Sequence, residues 1–367
     1  MPAGSGAPHL ILAGGGHAHL HTLLRLGELT GRGTAVTLVT PDRFHYYSGM
    51  GPGMLGGRYR PEEIRIDVQR LAERGGASCA LAPAVGLDPL ARQLRLADGT
   101  TLSYDILSLN IGSIVSAHPF PTDRIIPVKP IVNLAVARER LQALARSAPP
   151  CVLVAGGGAA GIEIAGNVRR LLGSRGKVTL ITSGNLLHHF PPRARRLVLK
   201  AFGENDIEIR EGVRVEQWLD GGAILSDGRT VSWDVALVAT GVKAPALLQK
   251  CGLPLAPDGT LLVDPYLRST GAPEVFGGGD CITPSGAPLP RVGVHAVRQG
   301  PILFRNIQAQ LMGGDPVPFR PRRNFLQLLN LGDDTALFVR SGLVWRGRLA
   351  LLLKDHIDRR FVERFAG

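Results

Sequence analysis

The sequence predicts an α/β fold: two parallel-sheet units of the doubly wound kind, followed by a small α+β tail. Two observations predict it. An apolar run the length of a buried strand, His9–Ala13, breaks into Gly14-Gly15-Gly16 and then takes helical spacing at Leu20, Leu23, Leu24 and Leu26. About 140 residues later the arrangement returns, where 151–166 reads CVLVAGGGAAGIEIAG. A strand that breaks into glycines before a helix lets the backbone approach a phosphate, and it aims the first helical N–H groups at that charge. An ordinary tight turn explains one such stretch. Two predict two Rossmann-like units for two different dinucleotides.

Length and composition agree. The chain has 367 residues, 44% hydrophobic, with 47 glycines, which suits two or three units at roughly 100–200 residues each. No run approaches the roughly 18 apolar residues of a spanning helix. The start, MPAGSGAPHL, has neither a basic region nor an apolar core, so it reads as a short flexible leader and the expected location is cytoplasmic. Cys79, Cys151, Cys251 and Cys281 are widely spaced, which fits a reducing compartment and predicts neither a metal site nor a C-x-x-C redox pair. A net charge of +12 calls for an anionic partner. No basic stretch is interleaved with aromatics, so nucleic acid is not expected. An anionic membrane surface or phosphate-rich cofactors fit better.

In the first unit, Gly14 and Gly16 match the spacing G-x-G-x-x-G, but the third position is His19. That position normally brings helix and strand together, so His19 predicts a wider crossing or an outward side chain. The second strand, 35–40, ends in Thr40-Pro41 with Asp42 next; Thr40 and Asp42 are both candidates to contact a ribose. Residues 42–60 (DRFHYYSGMGPGMLGGRYR) read as a long functional loop. Pro61 at a first turn predicts a helix over 61–74. Short alternating runs over 77–102, with Asp98-Gly99, predict antiparallel strands. A buried strand over 104–110 closes on Ile111-Gly112-Ser113, and a Pro-rich connection over 117–130 leads to a helix over 131–148.

The second unit carries all three glycines, Gly156, Gly158 and Gly161. Its second strand, 177–182, ends in Ser183-Gly184 without an acid. With Arg193, Arg195 and Arg196 downstream, this points to a 2′-phosphorylated nucleotide or loose selectivity. Asp220-Gly221 and Asp227-Gly228 mark turns, and 235–241 (VALVATG) returns as a buried strand ending at Gly241. Farther on, 275–280 (VFGGGD) ends a strand in glycines followed by Asp280, a carboxylate able to accept a ribityl or ribose hydroxyl. A helix follows over 292–311.

The order GGGHAH, GGGAAGIE, VATG, GGGD, AVRQGP resembles the two-dinucleotide flavoprotein reductases: the pyridine nucleotide–disulfide oxidoreductase superfamily with its type II NADH dehydrogenase and sulfide:quinone reductase branches. PDRFHYYSGMGPGMLGG, the VKP at 128–130 and KDHIDRRF further resemble the NADH-dehydrogenase-like flavoprotein fused ahead of selenide,water dikinase in some bacteria. No kinase lies in these 367 residues, so a stand-alone version is expected. The resemblance implies a glutathione-reductase-like pair of domains holding FAD and NADH or NADPH. FAD would lie on Gly14, Gly15, Gly16, His17 and Ala18, with Gly112, Gly279 and Asp280 beside it and the amides near His295 and Ala296 at the flavin pyrimidine end. NAD(P)H would lie on Gly156, Gly158, Gly161, Ser183 and Gly241. Glu163 would stand near the nicotinamide and Lys129 near the flavin, the two catalytic candidates. Hydride would pass from nicotinamide to flavin and then to a second acceptor. The missing cysteine pair argues against a disulfide acceptor.

The tail predicts strands over 325–331 and 335–340, then a basic amphipathic helix over 343–365, with Trp345, Leu349, Leu352, Leu353, Ile357, Phe361 and Phe365 at helical spacing. Such a helix suits a membrane interface or packing on the body or a dimer partner. The expected division is 8–121 with 242–320 for FAD, 122–241 for NAD(P)H, and 321–367 for the tail. The expected activity is NAD(P)H oxidation through FAD with a quinone or other small acceptor, at the inner face of the cell membrane if the tail binds there. The alternatives are a sulfide:quinone reductase-like enzyme and a flavin-binding regulatory module serving selenium metabolism. A homodimer is left open.

Overall fold

The computed structural model describes residues 6–115, 120–286, 288–322 and 324–366. The first five residues of the expected leader, and 117–119 of the Pro-rich connection, lie outside the described residues. Two all-parallel five-stranded sheets carry the fold. The first has the strand order Val275–Gly277, Ile106–Leu109, His9–Ala13, Ala35–Val39, Ser78–Ala80. The second has the order Ile125–Pro127, Val235–Val238, Cys151–Ala155, Lys177–Ile181, Ile207–Arg210. The strand before each glycine turn is third in its sheet and buried along nearly its whole length. A central parallel strand is covered on both faces, which is why it reads as an unbroken apolar run.

Each sheet has a three-stranded antiparallel companion, Ala84–Asp88 with Gln93–Leu96 and Thr101–Ser103, and Val215–Leu219 with Gly222–Leu225 and Thr230–Ser232. The expected Asp-Gly turns join these strands, with Gly99, Gly221 and Gly228 all at positive φ. One apolar core fills each unit. The antiparallel pair Ile114–Val115 with Val242–Lys243 lies where the chain passes between the sheets.

Three expected elements and the placing of His19 are corrected. Residues 42–60 are not all loop: they hold the strand Phe44–Tyr46 and the helix Gly51–Leu55. The expected helix over 61–74 is instead a 3₁₀ turn Pro61–Glu63, a strand Arg65–Asp67 and a helix Val68–Arg74. The cause is long-range: Phe44 to Tyr46 pairs antiparallel with Arg65 to Asp67, and Asp67 then caps the helix by accepting the Arg70 N–H at 3.0 Å. In the tail, Leu343–Gly347 is a third antiparallel strand beside Gln327–Asn330 and Ala336–Arg340, and the helix starts at Arg348. Trp345 takes its apolar contact across the strands, stacked on Phe338 at 5.3 Å, rather than along a helix.

His19 does not turn outward. Its ring is fully enclosed between the helix His17–Leu24 and the sheet. Nδ1 lies 2.6 Å from the Gly14 carbonyl, an obligate acceptor, so Nδ1 carries the proton. Nε2 then accepts from the Ser108 hydroxyl at 2.8 Å. Burial drives its pKa down to about 4, against the pull of the Gly14 carbonyl, so the ring is neutral in the folded chain. Replacing His19 by Ala strips both partners and opens a cavity, and should lower stability by about 2–4 kcal/mol in urea unfolding. A folded pKa below the ordinary 6.5 means stability is lost as pH falls from 6.5 towards 4. His19→Ala should lack that part of the acid slope; an unchanged slope would remove His19 from this account.

Candidate functional site

The two glycine turns are built alike. Gly14 N–H donates to Val39 at 2.7 Å, and Gly156 N–H donates to Ile181 at 2.8 Å, each reaching the end of the next strand. Both glycines have positive φ. A Cβ on Gly14 would stand 2.2 Å from the Asn110 carbonyl, and one on Gly156 2.5 Å from the Ala239 carbonyl. Each turn is thus pressed against the end of the strand on its other side. Gly16 and Gly158 then begin their helices with extended backbone, no cap from their own side chain and no acid in the first turn, which leaves the His17 N–H at the first turn, and the helix-start N–H groups at the second, for an anion.

Asn110 organises the first turn, and it is absent from the site residues named above. Its Oδ1 accepts from Ala18 N–H at 3.0 Å, and its Nδ2 donates to the Gly278 carbonyl at 2.6 Å. Gly15 stands against Val68. Gln299, also missed, accepts from Gly279 N–H at 2.7 Å. The signal available in the sequence was a buried strand, ILSL, closing on a polar residue just before Gly112.

Asp280, Ser113 and Lys129 meet where the two sheets' ends face each other. Lys129 Nζ donates to Asp280 Oδ2 at 2.6 Å and to Ser113 Oγ at 2.7 Å, and Ser113 donates to the same carboxylate oxygen at 2.8 Å. Burial alone would raise the Asp280 pKa, but Lys129 and Ser113 hold it below its ordinary value. The other Asp280 oxygen takes no hydrogen bond among the described residues. Gly112 has open space on its Cβ side. Ala296, in the first turn of the long helix Gly293–Met312, packs 3.6 Å from the Cβ position of Gly279. Beside it, both ring nitrogens of His295 are buried without a hydrogen-bond partner among the described residues, edge-on to Phe325.

Thr40 and Asp42 are partly committed. Thr40 donates to the Asp42 carbonyl at 3.0 Å, and one Asp42 oxygen accepts from Phe44 N–H at 2.9 Å. Ser183 and Gly241 are exposed, with open space at Gly241. Of the three downstream arginines, Arg195 is already paired with Glu211.

His17 follows the first glycine turn and stands edge-on to His45 at 4.7 Å, near Tyr47 at 5.4 Å. Burial lowers its pKa to about 4, with Asp280 opposing and Lys129 reinforcing the shift; burial and His17 hold His45 well below its ordinary value. Glu163, two residues past Gly161, turns its carboxylate towards the tail. It accepts from Asn330 N–H at 2.8 Å and lies 3.9 Å from Lys354 Nζ. Burial pushes its pKa up to about 7, with Lys354 pulling the other way. Lys354 also contacts Asp358 at 2.9 Å, and Asp358 accepts from the Tyr47 hydroxyl at 3.0 Å. Burial opposes the Lys354 charge, yet Asp358 and Glu163 raise its pKa above the ordinary lysine value. Tyr47, Lys354 and Asp358 are functional candidates that local sequence spacing does not connect.

The profile of the pyridine nucleotide-disulphide oxidoreductases matches residues 8–300. The chain belongs to that family. Members of the family bind FAD and NADH or NADPH. An NADH dehydrogenase-like protein of Mycobacterium tuberculosis is 30% identical over 235 residues, covering 59% of this chain and 58% of that protein, so the match spans less than two thirds of the relative. The demethylphylloquinone reductase of Synechocystis is 24% identical over 95% of this chain and 90% of its own length. Two solved structures share the fold. NDH2 from Plasmodium falciparum, in complex with NADH, has a TM-score of 0.84 at 14% identity, covering 97% of this chain and 96% of its own. The sulfide:quinone oxidoreductase of Aquifex aeolicus has a TM-score of 0.82 at 19% identity, covering 98% and 91%.

The residues present fit FAD at the first turn: the His17 N–H at the helix start, an unused Asp280 oxygen and open space at Gly112 lie there. Glu163 also supplies a test of the buried cluster. Its folded pKa near 7 exceeds its ordinary 4.5, so the folded chain binds the extra proton between those values. Stability from this group is therefore full below about pH 4.5 and is lost as pH rises through 7. Glu163→Gln should flatten the fall in urea midpoint between pH 5 and 8, and an identical slope in both proteins would contradict this assignment.

Proposed function

We propose that this protein is an FAD-dependent NAD(P)H oxidoreductase that delivers electrons to a quinone or similar small acceptor at a lipid surface. The observation that carries the reading is the duplicated glycine turn, one copy beside the Lys129–Ser113–Asp280 cluster. Gly14 to Ala18, Gly112, Gly279, Asp280 and the helix start at His295 and Ala296 would hold FAD. Gly156, Gly158, Gly161, Ser183 and Gly241 would hold NAD(P)H. FAD, when bound, supplies a two-electron carrier between nicotinamide and acceptor. Lys129 places a positive charge at the meeting point of the sheets, fixed by Asp280 and Ser113. Glu163 and Lys354 hold protons at the second turn, where burial keeps water away.

One cysteine beside the first site bears on the alternatives. Cys281, next to Asp280, is buried, with its thiol bonded to the Leu109 and Gly278 carbonyls, and burial raises its pKa to about 11. A protonated, enclosed thiol is a poor nucleophile, which speaks against sulfide or dithiol chemistry at Cys281. The C-terminal helix supports the lipid surface. Leu349, Leu352, Leu353 and Ile357 are 72%, 58%, 38% and 42% exposed, while Lys354 and Asp358 on the same helix are buried. Exposed Arg348, Arg360 and Arg364 accompany the leucines, the mixture expected of a helix lying on an anionic membrane. Among the described residues no helix is long and apolar enough to cross a membrane.

Gly158 separates nucleotide binding from folding. A Cβ there meets nothing within 4 Å and the backbone is extended, so Gly158→Val should fold with unchanged melting temperature. It would fill the face a pyrophosphate must approach, raising KM for NAD(P)H about tenfold or more. Gly161→Ala instead drives a Cβ to 1.8 Å from the Gly156 carbonyl and should destabilise the fold. The decisive measurement is anaerobic titration of the FAD-loaded protein with NADH and NADPH, following the visible flavin band. Bleaching by either nucleotide is expected, and then quinone-dependent recovery of the colour. No bleaching, or a Gly158→Val variant with unaltered KM, would overturn the reading.

A further inference from the structure

The C-terminal helix Arg348–Glu363 reaches both glycine turns, the second through Lys354 and the first through Phe361. Lys354 donates to the Gly49 carbonyl at 2.7 Å and approaches Glu163 beyond the second turn. Asp358 accepts from Tyr47, Asp355 accepts from Tyr59 at 2.8 Å, and Arg359 reaches Glu63 at 3.1 Å. Near its end, Phe361 stacks on Tyr47 at 4.7 Å and lies 5.9 Å from the His17 ring beyond the first turn. A helix docked on a water-soluble body normally turns its apolar stripe inward. Here Ala350 and Leu351 face inward onto the tail sheet, while Leu349, Leu352, Leu353 and Ile357 face out.

What lies beneath this helix is poorly satisfied. The Nε2 atoms of His17 and His45 are enclosed without a hydrogen-bond partner among the described residues, beside Tyr47 and Phe361. Buried polar atoms that lack partners favour any arrangement that lets water reach them. Buried ion pairs hold an interface less firmly than apolar packing, because desolvation offsets their attraction. Beyond Leu351, where the helix is held chiefly by charge pairs at Lys354, Asp355, Asp358 and Arg359, the closed contact is therefore one that a modest force can release.

We propose that this helix is a lid over the site, held shut by Lys354, Asp358, Tyr47 and Phe361, and lifted by an anionic lipid surface. A surface shifts such an equilibrium only if it binds one state better. Lifting supplies that difference. The docked helix offers Leu349, Leu352, Leu353 and Ile357, whereas the lifted one adds Phe361 and the buried Phe365. The lifted state uncovers His17, His45 and Tyr47, so a lipid-dissolved acceptor meets an open site only where it is available. The inference rests on the oxidoreductase reading for its purpose, though not for its geometry.

The test uses the full-length FAD-loaded protein with vesicles of equal phosphatidylcholine and phosphatidylglycerol. Backbone hydrogen exchange is followed over 44–50 and 348–363, alongside the rate of reduction of a water-soluble quinone. Vesicles should speed exchange over 44–50 and raise the quinone rate about fivefold or more. The double variant Leu352→Glu with Ile357→Glu should keep the wild-type exchange pattern without vesicles and lose both responses. Phe361→Ala should show fast exchange over 44–50 even without vesicles. Vesicles that fail to bind, or that bind without altering exchange over 44–50, would overturn the lid, as would a double variant that responds like wild type. If NAD(P)H never bleaches the flavin, the oxidoreductase reading fails, and the exchange measurements still judge the lid by themselves.

Discussion

The first nucleotide unit depends on the side chain of Asn110. It stands at the end of a central strand, donating its own N–H to Ala13 at 2.8 Å while its amide grips Ala18 on one side and Gly278 on the other. One buried residue thereby joins the glycine turn, the helix after it and the loop that carries Asp280, segments separated by more than half the chain. Both ends of the amide are satisfied, so its burial is stabilising rather than costly. The position of Asp280 against Lys129 and Ser113 follows from this clasp.

The second unit reaches the same geometry by other means. Ala239 occupies the strand end and has no amide to offer, and closeness comes from Gly161, whose missing side chain lets its helix approach the Gly156 carbonyl. In the first unit the corresponding position is His19, and its imidazole donates to the Gly14 carbonyl instead. The same backbone carbonyl is met by bare backbone in one turn and by a buried ring in the other. An imperfect glycine fingerprint is thus a substitution of a hydrogen bond for a close approach.

Charge is treated consistently across the molecule. Asp280 is half-buried and Lys354 buried, and each has its counter-charge within hydrogen-bond reach, as low-dielectric surroundings demand. The imidazoles His17, His19 and His45 meet burial by staying neutral. Glu163 lies between these solutions, with one lysine shared between it and Asp358. Its proton is therefore the most easily exchanged of this buried cluster near neutral pH.

By itself the sequence determined the two parallel-sheet units, their glycine turns, the Asp-Gly hairpins and the family. All of these are local patterns: apolar runs of strand length, glycines at set spacing, a helical period. The turn residues Gly14, Gly16, Gly156, Gly158 and Gly161 were legible for the same reason. Only the tertiary structure decided the strand at Arg65–Asp67, whose partner is 20 residues away, and the strand at Leu343–Gly347, whose Trp345 imitates the helix that follows. It also decided which face of the last helix is buried. Helical spacing of leucines pointed to an apolar inner stripe or an interface, but Tyr47, Tyr59, Glu63 and Glu163 arrive from distant segments and claim the polar face. Periodicity records what neighbours along the chain share. Asn110, the Lys129–Asp280 pair and the buried lysine are defined by partners across the fold, and no spacing along the chain encodes them.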